Sequence, residues 1–417
     1  MKQKYDIIVV GAGFAGVAAA IRAARNGRDV LLLDQGGCPG GTAAACMVIP
    51  FMNFWTTDPE TGEKIYLCKG IFSEIVQGLE DFGAFARNRV FNEEYLKVVM
   101  NRLLLDAGVT LLYQSYLIDA AVENQRITAV TVANKSGKMT FTADCFIDAT
   151  GDADLAVLAG CPTNLGRDSD HLCQPMTLSF RMCNVDLSLF KEQKPAIQEA
   201  YKAAQARGEI KNPRENVLTF LPPVDGVVHF NTTRVVKRSP VDAFDITAAE
   251  IEAREQVIEM IDFLRRNFSA FEKAELISTA ARIGVRESRM IDGEYRLTQE
   301  DLKACARFDD TIAVGNYDID IHSPDGSGTS HYYFAPGDYY TIPYRCLLPK
   351  GIRNLLVAGR CISTTHEAQA SIRIMPICCC LGEAAGTAAA MAVDGEVRKL
   401  DIPALQSTLE KQGLVIR

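Results

Sequence analysis

The sequence predicts an α/β fold, and three features near the N-terminus carry this prediction. Residues 6–10 are a short apolar run, which is typical of a buried parallel strand. A glycine-rich turn and an alanine-rich helix follow, and Gly27 stands where that helix is expected to end. A second apolar strand, residues 30–33, ends at Asp34. Alternating strands and helices of this kind build a parallel sheet covered by helices.

The rest of the chain extends this pattern and suggests its division into domains. Residues 71–85 and 93–107 have helical periodicity, whereas residues 109–150 alternate between turn signals and predict an antiparallel meander. Residues 161–338 mix strand-like and helical pieces, as an α+β domain does. A second strand-then-glycine pattern at 354–359 precedes a helix of small residues at 376–392. We therefore expect a nucleotide-binding domain formed by residues 1–160 and 339–417, with a substrate domain, residues 161–338, inserted between them.

Composition excludes several classes of protein. The chain has 417 residues, of which 48% are hydrophobic and 23% charged, as in ordinary globular proteins. Its net charge of −8 argues against nonspecific nucleic-acid binding, which needs clustered positive charge. No apolar run reaches the roughly 18 residues of a membrane span, and no signal peptide precedes the first strand, so we expect a cytoplasmic protein. The 13 cysteines include no Cys-x-x-Cys pair, so no metal site is expected.

The glycine-rich turn predicts a dinucleotide site. Gly11 allows a tight turn, Gly13 lets the backbone approach a pyrophosphate, and Gly16 lets helix and strand pack closely. The first turn of the helix, with Phe14 and Ala15, presents free N–H groups to the phosphates. Asp34 lies 18 residues beyond Gly16 (34 − 16), where an acid binds a ribose.

Two further segments belong to the same expected site. Gln35 begins a second glycine-rich stretch, which continues to Gly40, Gly41 and Thr42 and lets a long cofactor lie along the backbone. The predicted meander ends in Asp-Ala-Thr-Gly, which places Thr150 and Gly151 at the end of a strand.

With these pieces the sequence resembles the bacterial FAD-dependent oxidoreductase family of the glutathione-reductase-like, two-dinucleotide-binding-domain flavoproteins. The matching segments follow in order along nearly the whole chain: 40–42 (GGT), 147–155 (IDATGDADL), 283–297 (IGVRESRMIDGEYRL), 318–326 (DIDIHSPDG), 342–345 (IPYR), 355–363 (LLVAGRCIS), 373–376 (RIMP) and 382–386 (GEAAG). The resemblance implies FAD as the cofactor. It also implies that Gly359, Arg360, Met375 and Ile377 close the flavin end of the site.

Departures from the superfamily narrow the expected chemistry. Disulfide reductases of this fold follow Gly-Gly-Thr with Cys-x4-Cys, but here Ala43 follows, and Cys46 has no partner at that spacing. No second dinucleotide motif for a nicotinamide cofactor is visible. Aromatic hydroxylases of the fold carry Gly-Asp where this chain has Gly359 and Arg360, which weakens the monooxygenase interpretation.

Five residues are candidates for substrate binding and proton transfer. His322 lies in a polar loop, and His366 follows the late strand; a histidine of ordinary pKa exchanges protons at neutral pH. In a strand, Arg286 and Ser288 would point to one side and Glu287 and Arg289 to the other. Arg373 precedes the last helix, and each arginine is suited to hold an anion. The alternatives are structural histidines, an internal Arg–Glu ion pair and a surface cation.

The sequence therefore predicts an FAD-dependent oxidoreductase. We expect a two-electron (hydride) oxidation or reduction of a small organic substrate between the FAD-binding and inserted domains, with a separate electron acceptor or donor. The alternative is a flavin-binding reductase or an electron-transfer subunit that relies on a partner protein.

Overall fold

The computed structural model describes residues 2–86 and 88–417. Within these ranges the chain forms the following strands: β1 (Lys4–Val10), β2 (Val30–Leu33), β3 (Trp55–Thr57), β4 (Lys64–Tyr66), β5 (Thr110–Leu112), β6 (Tyr116–Glu123), β7 (Arg126–Asn134), β8 (Gly137–Asp148), β9 (Thr163–Leu165), β10 (Phe180–Cys183), β11 (Thr219–Phe220), β12 (Val228–Phe230), β13 (Glu275–Thr279), β14 (Arg289–Ile291), β15 (Thr311–Gly315), β16 (Ile319–His322), β17 (Thr329–Tyr332), β18 (Tyr340–Pro343) and β19 (Leu355–Val357).

The helices are distributed along the same described residues. They are α1 (Phe14–Arg25), α2 (Thr42–Ala45), α3 (Ile71–Asp81), α4 (Glu93–Asp106), α5 (Asp154–Leu158), α6 (Leu187–Ala206), α7 (Ala243–Asn267), α8 (Gln299–Lys303), α9 (His366–Ile372), α10 (Met375–Met391) and α11 (Ile402–Lys411). Short 3-10 turns occur at Ser269–Phe271, Tyr344–Leu347, Val393–Gly395 and Val397–Lys399.

A parallel sheet in the order β5-β2-β1-β8-β19 forms the centre of the molecule. Its strands end level with one another, because Val10 lies opposite both Leu33 and Asp148, and Asp148 lies opposite Val357. The loops that follow these strands therefore meet at one edge of the sheet. This arrangement confirms the predicted α/β fold with a Rossmann-like sheet.

Strands β6, β7 and β8 form an antiparallel meander, as the turn signals predict. Strand β8 is long enough to serve both sheets: residues 137–141 pair with β7, and residues 142–148 pair with β1. The expectation that all of residues 109–150 belong to the meander is wrong at its start, because β5 joins the parallel sheet beside β2.

Helix α10 packs against α1 at very short range because both helices consist mainly of small residues. A Cβ at Gly382 would lie 2.0 Å from the carbonyl oxygen of Ala15, and one at Gly386 would lie 2.2 Å from that of Ala19. Glycine is thus required at both positions for the two helices to touch. This contact places the late segments of the chain against the first glycine-rich turn.

A second core is built around the antiparallel sheet β11-β12-β10-β13 and helices α6 and α7. The rings of Phe180 and Phe230 stack there with their centroids 4.6 Å apart. Apart from Met47, its buried residues lie between residues 176 and 283. Strands β15 and β18 instead pack into the core of the parallel sheet, through residues such as Ile312 and Tyr340.

Among the described residues, no single helix has the length and apolar composition of a membrane span. Helices α9 and α10 meet that test only when taken together, and they are bent by 92° relative to each other.

Candidate functional site

Gly11 and Gly16 hold the first turn of α1 against the sheet. Gly11 has a φ of +99°, and a Cβ there would lie 2.4 Å from the carbonyl oxygen of Ala149. A Cβ at Gly16 would lie 1.7 Å from the carbonyl oxygen of Gly11. Both glycines are therefore required by the packing of the protein itself.

Gly13 differs, because nothing in the protein fills the space beside it. The nearest described atom to a Cβ at this position would be the Cα of Gly41, at 4.0 Å. The N–H groups of Phe14 and Ala15 have no acceptor in the described part of the chain, and no side chain caps α1. An open space in front of unpaired N–H groups and the positive end of a helix dipole suits a diphosphate.

The second glycine pair closes this space from the other side. The Gly40 N–H donates to the carbonyl oxygen of Ala12 over 2.8 Å. Gly41 has a φ of +52°, and a Cβ there would lie 2.9 Å from the Cα of Gly13. Thr42 then begins α2. Two glycine-rich segments 28 residues apart (41 − 13) thus form one cradle, which we call the glycine cradle.

Asp34 lies at the end of β2, beside the cradle. Its Oδ2 accepts from the Ala12 N–H over 2.5 Å, and its Oδ1 accepts from the Gly36 N–H over 2.6 Å. These bonds fix the carboxylate while leaving each oxygen a further lone pair for a ribose hydroxyl. The neighbouring Gln35 is exposed.

The loop after β8 is ordered by Asp148, whose fully buried carboxylate accepts from Thr150 Oγ1 over 2.7 Å and from the Ala156 N–H over 2.9 Å. Burial raises the pKa of Asp148. Gly151, which follows Thr150, has a φ of +81° and lies against the guanidinium of Arg360. The residues Thr150 and Gly151 therefore lie at the same sheet edge as the cradle.

The late strand also ends at the cradle. Gly359 has a φ of +94°, and a Cβ there would lie 3.0 Å from the Cβ of Ala15 in the first turn of α1. Arg360 donates to Asp152 Oδ1 over 2.6 Å and to the carbonyl oxygen of Val285. Met375 and Ile377 begin α10 with their side chains buried. The structure thus brings together the residues predicted at both ends of a dinucleotide, and they suit an FAD.

Residues 282–287 run from the cradle to helix α9. The Arg282 N–H donates to the carbonyl oxygen of Ala45 over 3.2 Å, and Cys46 Sγ lies 3.5 Å from that of Ile283. At the other end of the segment, Gln369 Nε2 donates to the carbonyl oxygen of Arg286 over 2.8 Å. Side chains of this segment are therefore the nearest candidates for contact with a substrate.

His366 and Arg289 have structural partners. His366 Nδ1 lies 2.8 Å from Glu287 Oε1, and that fully buried carboxylate also accepts from the Gln174 N–H over 2.8 Å. Arg289 donates to the carbonyl oxygen of Asp152 and to Asp154 Oδ1, over 2.8 and 2.5 Å. Burial and the neighbouring Asp152 raise the pKa of Asp154 to about 6.

The predicted alternation of this segment is wrong. Ser288 and Arg289 both bind Asp152, although adjacent residues of a strand point to opposite sides. The reason is that residues 284–288 are not a regular strand, since β14 begins only at Arg289. The suggested Arg–Glu ion pair within the segment does not form either, because Glu287 turns to His366.

Arg286, Arg373 and His322 belong to one buried polar group. Arg286 Nη1 donates to the carbonyl oxygen of Pro175 and to Thr177 Oγ1, over 2.6 and 2.7 Å. Arg373 Nη2 lies 3.5 Å from Asp320 Oδ2.

Burial, reinforced by the charge of Arg286, lowers the pKa of His322 to about 3. The sequence predicts an ordinary pKa for this histidine, whereas a pKa of about 3 makes its imidazole a poor proton acceptor near neutral pH.

The hydrogen bonds of His322 identify its tautomer. Its Nδ1 lies 2.9 Å from Arg234 Nη2, and arginine can only donate, so Nδ1 is the acceptor. The neutral ring therefore carries its hydrogen on Nε2, which lies 3.5 Å from Asp320 Oδ2. At that distance the Nε2 hydrogen is only weakly engaged and remains available to another acceptor.

Two arginines of this group were missed by the sequence analysis. Arg214 and Arg234 lie in polar segments, 212–216 (NPREN) and 231–234 (NTTR), and both side chains are almost completely buried. No feature of the local sequence distinguishes them from surface arginines. We refer to Arg214, Arg234, Arg286 and Arg373 as the arginine cluster.

A cleft of about 270 Å³ opens near this group, between β3 and the segment that follows β17. Its lining includes Trp55, Asn316, Asp318 and Tyr333. Asp318 Oδ2 lies 2.5 Å from His331 Nδ1, and His331 lies 3.7 Å from Asp320. The cleft therefore borders Asp318, which is connected through His331 to Asp320, a neighbour of His322.

Cys46 lies beside the cradle as a buried thiol. Burial raises its pKa to about 11, so that it is protonated at neutral pH. In α10, the three successive cysteines Cys378, Cys379 and Cys380 are buried, where they serve as small packing groups.

Comparison with known proteins adds to this geometry. A family model described as FAD dependent oxidoreductase matches residues 6–409. The chain is 26% identical over 185 residues to digeranylgeranylglycerophospholipid reductase of Methanocella arvoryzae and 28% identical over 173 residues to protein FixC of Azotobacter vinelandii. The alignments cover 42% and 38% of this chain and 46% and 40% of those proteins. The chain thus matches less than half the length of each relative.

Solved structures with a similar fold include a geranylgeranyl bacteriochlorophyll reductase-like protein of Thermoplasma acidophilum and the flavin-dependent brominase Bmp2. The first is 13% identical, with a TM-score of 0.45 over 98% of this chain and 83% of that chain. The second is 12% identical, with a TM-score of 0.47 over 98% of this chain and 83% of that chain.

Proposed function

Because the chain belongs to the FAD-dependent oxidoreductase family, we propose that it catalyses the two-electron (hydride) oxidation or reduction of a small organic substrate. We place it among the glutathione-reductase-like flavoproteins, with the substrate bound between the FAD-binding and inserted domains. The observation that carries this proposal is the glycine cradle, whose open space at Gly13 lies in front of N–H groups at the start of α1 that have no acceptor among the described residues.

Residues from three parts of the chain hold the FAD in this proposal. The glycine cradle and the first turn of α1 bind the pyrophosphate, and Asp34 binds the ribose of the adenosine half. Thr150 and Gly151 follow on the same sheet edge. Gly359 and Arg360, with the start of α10 at Met375 and Ile377, enclose the flavin end. The short distance between Gly359 and Ala15 supports this assignment.

FAD supplies the hydride chemistry, and the residues of this chain position the substrate and its protons. Residues 282–287 link the cradle to helix α9, so Arg286 is at the boundary between cofactor and substrate. Arg373 and Asp320 form the opposite side of the polar group. His366 and Arg289 keep this segment in place through Glu287 and Asp154.

His322 acts as a hydrogen-bond donor in this proposal, rather than as an acid of ordinary pKa. Its Nδ1 is occupied by Arg234, and its Nε2 hydrogen is directed to a substrate oxygen. A neutral imidazole donates such a bond without giving up the proton completely. This role keeps His322 at the reaction centre and explains its burial.

Anaerobic reduction of the purified protein tests the proposed function. FAD should be released by acid and identified by chromatography, and the flavin should bleach with one class among sugars, hydroxy acids, amines, steroids and enones. Colourless protein that cannot be reconstituted with FAD would refute the assignment. Bleaching that requires a second protein would replace it with the partner-dependent alternative.

A further inference from the structure

The arginine cluster carries more positive charge than its surroundings balance. Two carboxylates contact it: Glu215 Oε2 lies 3.2 Å from Arg234 Nη2, and Asp320 Oδ2 lies 3.5 Å from Arg373 Nη2. His322 is neutral, and Asp318 is paired with His331. Four guanidinium groups against two carboxylates leave an excess of two positive charges (4 − 2) among these described groups.

Several donors of the cluster also lack partners. Arg214 Nη1, Arg234 Nε and Arg373 Nε are buried and have no acceptor among the described residues. The side chains of Arg214 and Arg234 are only 4% and 1% exposed, so water does not reach them freely. An arginine is always charged and offers five donors, and its burial without acceptors is costly. The unfilled donors therefore point to an anionic ligand.

Arg286, the member of the cluster in the segment that leads to the cradle, also points to an anionic ligand. Its Nη1 is occupied by Pro175 and Thr177, whereas its Nε and Nη2 have no acceptor in the described part of the chain. Burial lowers the pKa of Arg286 well below its usual range, and the charges of Arg214, Arg373 and Arg234 lower it further. An anion bound among these side chains would remove that repulsion.

We propose that the arginine cluster binds the carboxylate of an organic acid and that this acid is the substrate. The proposal rests on the proposed function and names its substrate class. A carboxylate is planar and accepts two parallel bonds from a guanidinium, which matches the free donors of Arg286. Arg360, which follows Gly359 beside the cradle, donates to the carbonyl oxygen of Val285, the residue before Arg286, so an acid bound to the cluster would lie on the side of the cofactor.

An unpaired hydrogen-bond acceptor narrows the class of organic acid that fits the cluster. Asp320 Oδ1 is buried and receives no hydrogen bond from the described residues. It would accept a bond from a hydroxyl group of a ligand whose carboxylate binds the arginines. A hydroxy acid therefore fills both the free donors of the arginines and the free acceptor of Asp320.

Ligand binding to the FAD-loaded protein tests the proposal without turnover. Malate, succinate, succinamide and inorganic phosphate are titrated while the flavin absorbance and the thermal midpoint are recorded. We expect saturable binding of malate, weaker binding of succinate, and no binding of the uncharged succinamide. Equal binding of succinamide and succinate, or saturation by phosphate alone, would overturn it.

Substitutions in the cluster locate the binding site. Arg214→Gln should weaken malate binding about tenfold to a hundredfold, since one charge-assisted bond is lost. Arg214→Lys retains the charge without the planar fork and should recover part of the affinity. Arg181→Gln is the matched control, because Arg181 is also a mostly buried arginine but pairs with Glu93 outside the cluster. Its malate affinity should equal that of the wild type.

The outcomes separate this proposal from the proposed function. Protein without FAD would contradict both. Protein that binds FAD and is bleached by an uncharged substrate, with malate affinity unchanged in Arg214→Gln and Arg214→Lys, would contradict only the carboxylate site. If Arg214→Gln does not fold, the Lys variant and the ligand series still decide the question.

Discussion

The glycine cradle and the arginine cluster are adjacent, but they are built in different ways. The cradle consists of backbone: its selectivity comes from N–H groups and from the missing side chain of Gly13. The cluster consists of long side chains that arrive from four separate segments, and their positions depend on carbonyl and carboxylate partners. One methyl group added to a cradle glycine can therefore abolish binding there, whereas substitution of one arginine in the cluster removes only the hydrogen bonds of that side chain.

The largest effect should follow Gly13→Val. The added side chain occupies the open space in front of α1, so we expect complete loss of FAD while the fold is retained. The ratio of flavin to protein absorbance and the circular dichroism spectrum measure the two effects.

Gly16→Val provides the contrast. Its Cβ would lie 1.7 Å from the carbonyl oxygen of Gly11, so this variant should fail to fold rather than fold without cofactor. If Gly13→Val folds and still contains FAD, the distinction between the open position at Gly13 and the packed position at Gly16 is wrong.

On the side of the cluster, His322→Ala should slow flavin reduction about 10²- to 10³-fold, the range for loss of one preorganised donor. FAD content should stay unchanged, because His322 contacts Arg234 and Asp320 rather than the cradle. Stopped-flow reduction by a true substrate measures the rate. His331→Gln is the control, since its ring is a third exposed and pairs with Asp318. A wild-type rate in His322→Ala would remove this residue from the reaction.

His366→Ala should reduce stability rather than chemistry. It leaves the buried carboxylate of Glu287 without its ring partner, and losing a hydrogen bond to a charged group costs about 1.5–3 kcal/mol. Urea unfolding measures the change, and His366→Gln should recover part of it. A loss of turnover in His366→Ala at unchanged stability would place His366 at the substrate instead.

The contribution of His229 and His322 to stability should fall as the pH is lowered from about 6.5 towards 3. Burial lowers the pKa of both His229 and His322 to about 3, so between these limits the unfolded chain binds more protons than the folded one. Each histidine should remove about 1.4 kcal/mol of unfolding free energy per pH unit in this window. Urea titrations at pH 7 and 5.5 test this, and His229→Gln should halve the slope that the two histidines contribute.

The smallest effect should come from Cys46→Ala. The pKa of this thiol is raised to about 11 by burial, and no thiolate is therefore available to interact with the flavin at neutral pH. Two-electron reduction should bleach the flavin of both proteins without a long-wavelength charge-transfer band. A band that disappears in Cys46→Ala would show a redox-active cysteine beside the cradle.

The sequence predicted the parallel sheet and the members of the cradle well, because those features depend on local patterns. Gly11, Gly13 and Gly16 follow a buried strand directly, and Asp34 ends the next one. The arginine cluster was only half predicted. Arg214 and Arg234 are brought to Arg286 by the packing of the second core, and nothing in their immediate neighbours indicates this. The low pKa of His322 likewise depends on its burial in the folded protein and on Arg286, 36 residues earlier (322 − 286).

The contact between α1 and α10 has a consequence for how the protein is made. Gly382 and Ala15 are 367 residues apart (382 − 15), so one side of the cofactor site is formed by two segments that leave the ribosome at widely different times. During translation the N-terminal glycine turn is complete early, but the helix that supports it does not yet exist. Contacts of such long sequence separation form late and slowly in folding. FAD capture should therefore be a late step that follows the synthesis of α10, and the flavin content of freshly synthesised protein should lag behind its accumulation.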